Sequence, residues 1–167
     1  MKKDKIKTLY GSDIEEACLE AARCNLAMLT KEGLISAVDK VLEKEVTGEA
    51  RRIQLTCSAD KILPHLTSPP HCKVFRHDIL SCVPKLSEPI DYVFADIPYG
   101  IMTEWRTDSS EADPIQSLVR SIAPIMSDDG VLVICGGKDL RLKSDVIRGI
   151  DKICIGKRLV LVFQKII

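Results

Sequence analysis

The sequence predicts an α/β sandwich on a mostly parallel sheet, closed by a C-terminal antiparallel hairpin. Three observations carry this. Short apolar runs alternate with stretches of helical period along the chain. The run Val131 to Cys135 is continuously apolar, as expected of a strand buried on both faces in a parallel sheet. The last two runs, Ile153 to Ile155 and Arg158 to Gln164, are separated only by Gly156-Lys157, which is hairpin spacing.

Taken in order, Ile6 to Tyr10 reads as a strand closed by Gly11-Ser12-Asp13. Ile14, Cys18, Ala21, Ala22, Asn25 and Leu29 then share one face of a helix. Ser12 or Asp13 is its expected N-cap, with Glu15 and Glu16 complementing the helix dipole. Leu34, Val38, Val41 and Leu42 mark a second helix ending near Thr47-Gly48, and Glu49 to Leu66 a third, its end blurred by Pro64. After Thr67-Ser68-Pro69-Pro70 comes a short strand, Cys72 to Phe75, running into His77-Asp78. Ile90 to Ala95 forms a further strand, ending at Asp96-Ile97-Pro98-Tyr99-Gly100. Pro114 to Met126 is amphipathic, with Asp113-Pro114 as its opening, and Ser127-Asp128-Asp129-Gly130 reads as a turn. Leu142, Val146 and Ile150, spaced by four, predict a helix before the closing hairpin.

At 167 residues the chain makes one domain or a large part of one, expected to span 1–167 as a single unit. Its 24 basic and 24 acidic residues cancel, so no global field demands a nucleic-acid partner. The 46% apolar and 29% charged composition excludes disorder as a global description. No run reaches the ~18 to 20 apolar residues of a membrane span, and no signal-peptide core follows Met1 to Lys5, so a cytoplasmic location is expected. Seven cysteines occur without a CxxC or a Cys/His pair at zinc spacing. They read as reduced thiols buried in the core, and no metal site is expected.

Parallel sheets bind ligands at the carboxyl ends of their strands. There the sequence places three acids: Asp13, Asp78 and Asp96. Asp96 can accept a hydrogen bond from an amino group or ring N–H of a flat base. Pro98 holds the following chain extended and removes a donor, and Tyr99 offers a face for stacking. Taken by itself this is also a strand ending in a tight turn. Asp13, closing a strand ahead of a helix, is where nucleoside-binding folds hold ribose hydroxyls, with Ile14 against a base; helix capping explains it equally well. Asp78 can accept from an adenine amino group, with Ile79 in apolar contact. Trp105, the only tryptophan, is a packing residue or the wall of a base pocket.

Tyr10-Gly11-Ser12-Asp13-Ile14, Ala21-Ala22-Arg23-Cys24-Asn25-Leu26, and Asp91 to Gly100 with Thr103-Glu104-Trp105 together resemble S-adenosylmethionine-dependent methyltransferases. Within these, the helical insertion at about 31–66 makes the chain similar to the avilamycin-resistance (AviRa) type of 23S ribosomal RNA methyltransferase, a guanine-modifying family. The resemblance implies a Rossmann-like class I methyltransferase sandwich with S-adenosyl-L-methionine as cofactor and ribosomal RNA as substrate. It implies that Asp13 and Ile14 hold the cofactor ribose side, and Asp78 and Ile79 its adenine. Asp96, Pro98 and Tyr99 would form the catalytic turn, with Gly100 and Trp105 on the substrate. Ile97 stands where the usual motif has a first proline.

One expected part is absent. Such enzymes begin with a strand and a glycine-rich loop at the methionine end of the cofactor, yet five residues precede Ile6 and no Gly-x-Gly occurs. A strand, loop and helix need about 30 residues, so the first βα unit is expected to be missing. Its loss would leave either a gap with unpaired backbone groups or a rearranged pairing, and weak or no cofactor binding. A partner chain could restore the strand. A non-catalytic RNA-binding remnant of the enzyme is the alternative, with Lys2, Lys3, Lys5, Lys7, Arg51 and Arg52 on phosphates. A phosphorelay receiver module, with Asp96 as phosphoacceptor and Lys138 as its late lysine, fits less well: Pro98 falls too close to Asp96 and the helical stretch has no place.

Overall fold

The computed structural model of the chain describes residues 6–44, 48–98, 105 and 113–166. These fall into two compact units, Met1–His77 and Asp78–Ile167.

In the first unit, β1 (Thr8–Asp13) and β2 (His71–Arg76) pair in parallel, from Thr8 opposite His71 to Asp13 opposite Arg76. The connection runs through α1 (Glu16–Ala27), α2 (Lys31–Leu42), α3 (Glu49–Ile62) and a 3₁₀ turn at Leu63–His65, so the helical insertion lies between the paired strands as expected. The first strand does not close at Gly11. It continues to Asp13, because Gly11 and Ser12 find ladder partners in Val74 and Phe75, and the pairing is prolonged where the His77 amide donates to the Asp13 carbonyl at 3.1 Å. The N-cap of α1 is correspondingly Glu15, without a side-chain cap, rather than Ser12 or Asp13. Thr30 welds α1 to α2: its hydroxyl donates to the Ala27 carbonyl at 2.8 Å and accepts from the Gly33 amide at 3.0 Å. Only Leu19 and Ala59 are buried among this unit's described residues.

In the second unit β3 (Ile90–Asp96), β4 (Met126–Gly137), β5 (Ile147–Ile155) and β6 (Arg158–Lys165) form a sheet in the order β3-β4-β6-β5. β3 and β4 are parallel, and β6 is antiparallel to both neighbours. α4 (Pro114–Ile122) opens as expected: the Asp113 carboxylate accepts from the Ile115 amide at 3.0 Å, and Pro114 occupies the first turn, where no N–H is needed. The expected helix is shorter than its pattern, since Ala123–Ile125 is 3₁₀ and Met126 already pairs with Ile90. Gly156, at φ 60°, is the first central residue of the hairpin turn, a conformation open to glycine without strain.

Two expectations fail here. Ser127 to Gly130 is not a free turn but extra length inside β4: the register passes from Ile90–Met126 to Tyr92–Val131, and the Ser127 hydroxyl bonds the Asp91 carboxylate at 3.0 Å. The helix drawn from Leu142, Val146 and Ile150 does not form. Leu142 packs on the core, the Lys143 carbonyl accepts from Gln116 at 2.7 Å, and Ile150 falls at a register shift within β5. A spacing of four thus mimicked a helix across an extended segment and a bulge.

The core belongs to this unit. Leu118, Val119 and Ile122 of α4 pack on Leu132, Ile134, Leu159 and Phe163 of the sheet, with Ile97, Leu140 and Ile147 closing its margins. The opposite sheet face carries Tyr92 and Phe94, 67% and 76% exposed. β1 has β2 on one edge and β3 has β4; the other edge of each has no strand partner among the described residues.

The cysteines correct another expectation. Cys18, Cys24, Cys57, Cys82 and Cys154 are exposed and Cys72 and Cys135 only half-buried; all seven are free thiols. Apolar neighbours in sequence did not place them inside, because α1 and α3 bury one residue each and Cys154 lies on the edge strand β5. No described helix is long and apolar enough to cross a membrane.

Candidate active site

Asp96 is the last residue of β3, in register with Cys135, and its exposed carboxylate makes no hydrogen bond among the described residues. The next residue anchors the turn. The Ile97 amide donates to the Cys135 carbonyl at 2.9 Å, extending the parallel ladder by one step, and its side chain is 7% exposed. That side chain lies on Gly136: a Cβ added there would meet Ile97 Cγ1 and Cδ1 at 3.1 Å and Leu140 Cδ2 at 3.2 Å. The aliphatic residue standing in place of a proline is therefore the bolt that fixes the strand end, and Gly136 is the hole it enters. Gly136 had no part in the site read from the sequence. The signal available was a glycine inside a strand pattern, which marks close approach. Pro98 follows half-buried, while Tyr99 and Gly100 lie outside the described residues. Trp105 packs against the same core cluster as Ile97.

The other two acids each order their own strand end. The Asp13 Oδ1 accepts from the Glu15 amide at 2.8 Å, which sets the chain's turn from β1 into α1. Its Oδ2 has no hydrogen bond among the described residues, so the half-buried carboxylate retains acceptor capacity for a hydroxyl pair. Arg76, paired with Asp13 in the ladder, donates from Nε to the Ile14 carbonyl at 3.2 Å; sequence reading had passed over this cation. Asp78 is half-buried. Its Oδ1 accepts from the Leu80 amide at 3.0 Å and its Oδ2 from the Ser81 hydroxyl, closing a turn after β2. Ile79 packs against the core cluster, as does Leu80.

Asp13 and Ile14 belong to the first unit, Asp78, Ile79, Asp96, Pro98 and Trp105 to the second; Asp13 and Asp96 each end a strand of their own unit, whereas Asp78 stands two residues beyond β2, at the start of the second unit. Two surface depressions, one lined by Leu140, Gly149 and Phe163 and the other by Arg23, Leu26 and Val74, include none of the three acids. Near the second, Arg23 is held above its ordinary pKa by its hydrogen bond to Glu16.

Among the described residues Asp13 keeps one carboxylate oxygen without a hydrogen bond and Asp78 a lone pair on each oxygen, so each can accept a further hydrogen bond from a hydroxyl or amino group. For the methionine end of the cofactor the sequence supplies no Gly-x-Gly. Among the described residues no cluster of three His, Cys, Asp or Glu side chains could hold a metal ion.

The family profile described as rRNA methyltransferase AviRa matches residues 1–158. The chain is 26% identical over 162 residues to the 23S rRNA (guanine(2535)-N(1))-methyltransferase of Streptomyces viridochromogenes, covering 92% of this chain and 64% of that relative. Two solved structures of the rRNA methyltransferase AviRa from the same organism superpose with TM-scores of 0.71 and 0.70, at 20% and 22% identity, over 98% and 95% of this chain and 78% and 66% of theirs. These likenesses show a Rossmann-like α/β fold. With the profile covering nearly its whole length, the chain belongs to the rRNA methyltransferase AviRa family.

Proposed function

We propose that this chain acts as an S-adenosylmethionine-dependent methyltransferase on a guanine base of ribosomal RNA of the 23S type, in the cytoplasm, with residues 1–167 as its catalytic domain. The observation that carries the proposal is the strand end Asp96-Ile97-Pro98: a carboxylate without a partner among the described residues, on a backbone anchored by a ladder bond and a buried side chain, at the carboxyl end of a parallel pair. The relative acts on a guanine, by its name, and the family profile spans these residues. The receiver alternative loses its support for the same reason.

The cofactor, when bound, supplies an activated methyl group on a sulfonium, so the chain needs little acid–base power. Asp96 accepts a hydrogen bond from the guanine edge and turns the target nitrogen toward the methyl group. Orientation of this kind is the larger part of such a rate enhancement. Pro98 keeps the turn extended, and Tyr99, Gly100 and Trp105 are proposed to face the base. Asp13 and Ile14 hold the ribose side and Asp78 and Ile79 the adenine. Without a Gly-x-Gly segment the methionine end is poorly held, so the purified chain binds the cofactor more weakly than micromolar. That last point keeps the non-catalytic RNA-binding remnant as the second reading.

The test is transfer of labelled methyl from millimolar S-adenosylmethionine to a 23S rRNA transcript, with cofactor binding followed by calorimetry. Label in guanine, lost in Asp96→Ala, supports the enzyme. RNA binding with no transfer at saturating cofactor supports the remnant and overturns the enzyme reading for this chain.

A further inference from the structure

The whole chain is neutral, but its charge is not evenly spread: residues 136–167 carry eight Lys and Arg against three Asp and no Glu. The register of the second unit sorts these charges by sheet end. Gly137 pairs with Arg158 and Arg158 with Ile155, so the β5–β6 turn with Lys157 lies at the end of the sheet where β3 delivers Asp96. Lys138 leaves β4 at that same end.

The cations of the two ends are differently occupied. At the far end Lys165 donates to the Met126 carbonyl at 2.8 Å beside Asp128, and Arg148 to Gln164 at 3.4 Å. At the Asp96 end, the Lys138 and Lys157 side chains are exposed and their ammonium groups make no hydrogen bond or ion pair among the described residues. Arg141 spends its contacts on the carbonyls of Lys138 and Leu140, at 3.0 and 2.8 Å, which fixes the guanidinium at the turn after β4. Arg158 shares a sheet face with Asp96, two strands away and two residues further along, about 12 Å by the usual strand spacing and rise. Lysines on exposed edge strands commonly serve to prevent unwanted pairing, which accounts for Lys152 on β5. It does not account for Lys138 and Lys157, which stand in turns.

We infer that Lys138, Lys157 and Arg158 form a cationic rim that grips the RNA phosphodiester backbone flanking the target base, while Asp96 addresses the base itself. This rests on the rRNA reading above and adds the surface by which the polymer docks. Phosphate contacts of this kind fix register and orientation without reading sequence, and each contributes to the salt dependence of binding, at about 0.7 to 0.9 units of slope in log K against log salt.

The experiment measures binding of a labelled 23S rRNA transcript between about 50 and 200 mM salt, a range over which the slope is well determined. Compared are the wild type, the triple variant Lys138→Gln, Lys157→Gln, Arg158→Gln, and a control with the same charge change on α2 and after it, Lys31→Gln, Lys40→Gln, Lys44→Gln. Circular dichroism establishes that each is folded. The rim variant should lose about 2 units of slope, and the control should keep the wild-type value. An unchanged slope in the rim variant, or an equal loss in the control, overturns the rim while leaving the rRNA reading standing. A wild type that shows no salt-dependent binding to the transcript overturns both.

Discussion

Cutting the Ile97 side chain to alanine should loosen the strand end that carries Asp96, and the geometry sets the size of the effect. The side chain is 7% exposed and belongs to the main core cluster. Removing it should cost about 3 kcal/mol, in the ~2 to 5 range for buried Ile→Ala. Gly136→Ala acts from the other side. Its Cβ would stand 3.1 Å from two Ile97 carbons, inside the 3.4–4 Å of ordinary contact. Overpacking of this kind costs about 1 to 3 kcal/mol, of which about 0.5 to 1 is offset because alanine gives up less chain entropy on folding. A net loss of about 1 to 2 kcal/mol is expected. In the Ile97→Ala background the crowded carbons are gone, so Gly136→Ala should become neutral or slightly stabilising, a coupling energy of about 1.5 kcal/mol. Urea denaturation followed by far-ultraviolet circular dichroism reads all four corners of the cycle. With m near 2 kcal/mol/M, the Ile97→Ala midpoint should fall by about 1.5 M. Additivity within about 0.5 kcal/mol would refute the packing of Ile97 into the space above Gly136.

Other expectations follow from single contacts. Asp113→Ala removes the α4 cap and should cost about 1 kcal/mol, whereas Asp113→Asn should cost a few tenths, both read from urea midpoints. Asp13→Ala should weaken S-adenosylmethionine binding in calorimetry at least tenfold while Asp96→Ala leaves it nearly unchanged; equal losses would sink that division of labour. Tyr92→Thr with Phe94→Thr, at positions 67% and 76% exposed, should leave stability within about 0.5 kcal/mol and reduce concentration-dependent self-association in light scattering.

Much of this architecture was readable from local chemistry, and the misreadings share a cause. Asp113-Pro114 announced α4, and Gly156-Lys157 the hairpin, because caps and turns are decided by a few adjacent residues. The helical insertion and all three acids at strand ends were also legible. Gly11-Ser12-Asp13 and Ser127 to Gly130 looked like turns, and each is strand, because a neighbouring strand far away in sequence satisfies its backbone. Leu142, Val146 and Ile150 kept helical spacing by coincidence of a bulge. The cysteines misled in the same way: composition says what a side chain prefers, not whether a face has a cover. Within the site, residue types told of acceptors, while the seating of Ile97 on Gly136 depended on a contact across two strands.

Trp105 stands alone among the indoles of the chain and leans on the cluster that holds Ile97 and α4. Its emission therefore reports on the second unit, the one it packs in. A melt followed by fluorescence alone has no indole within the first unit, which holds two buried residues among those described. Only an optical probe placed in that unit, such as a tryptophan introduced on α2, would reveal two steps.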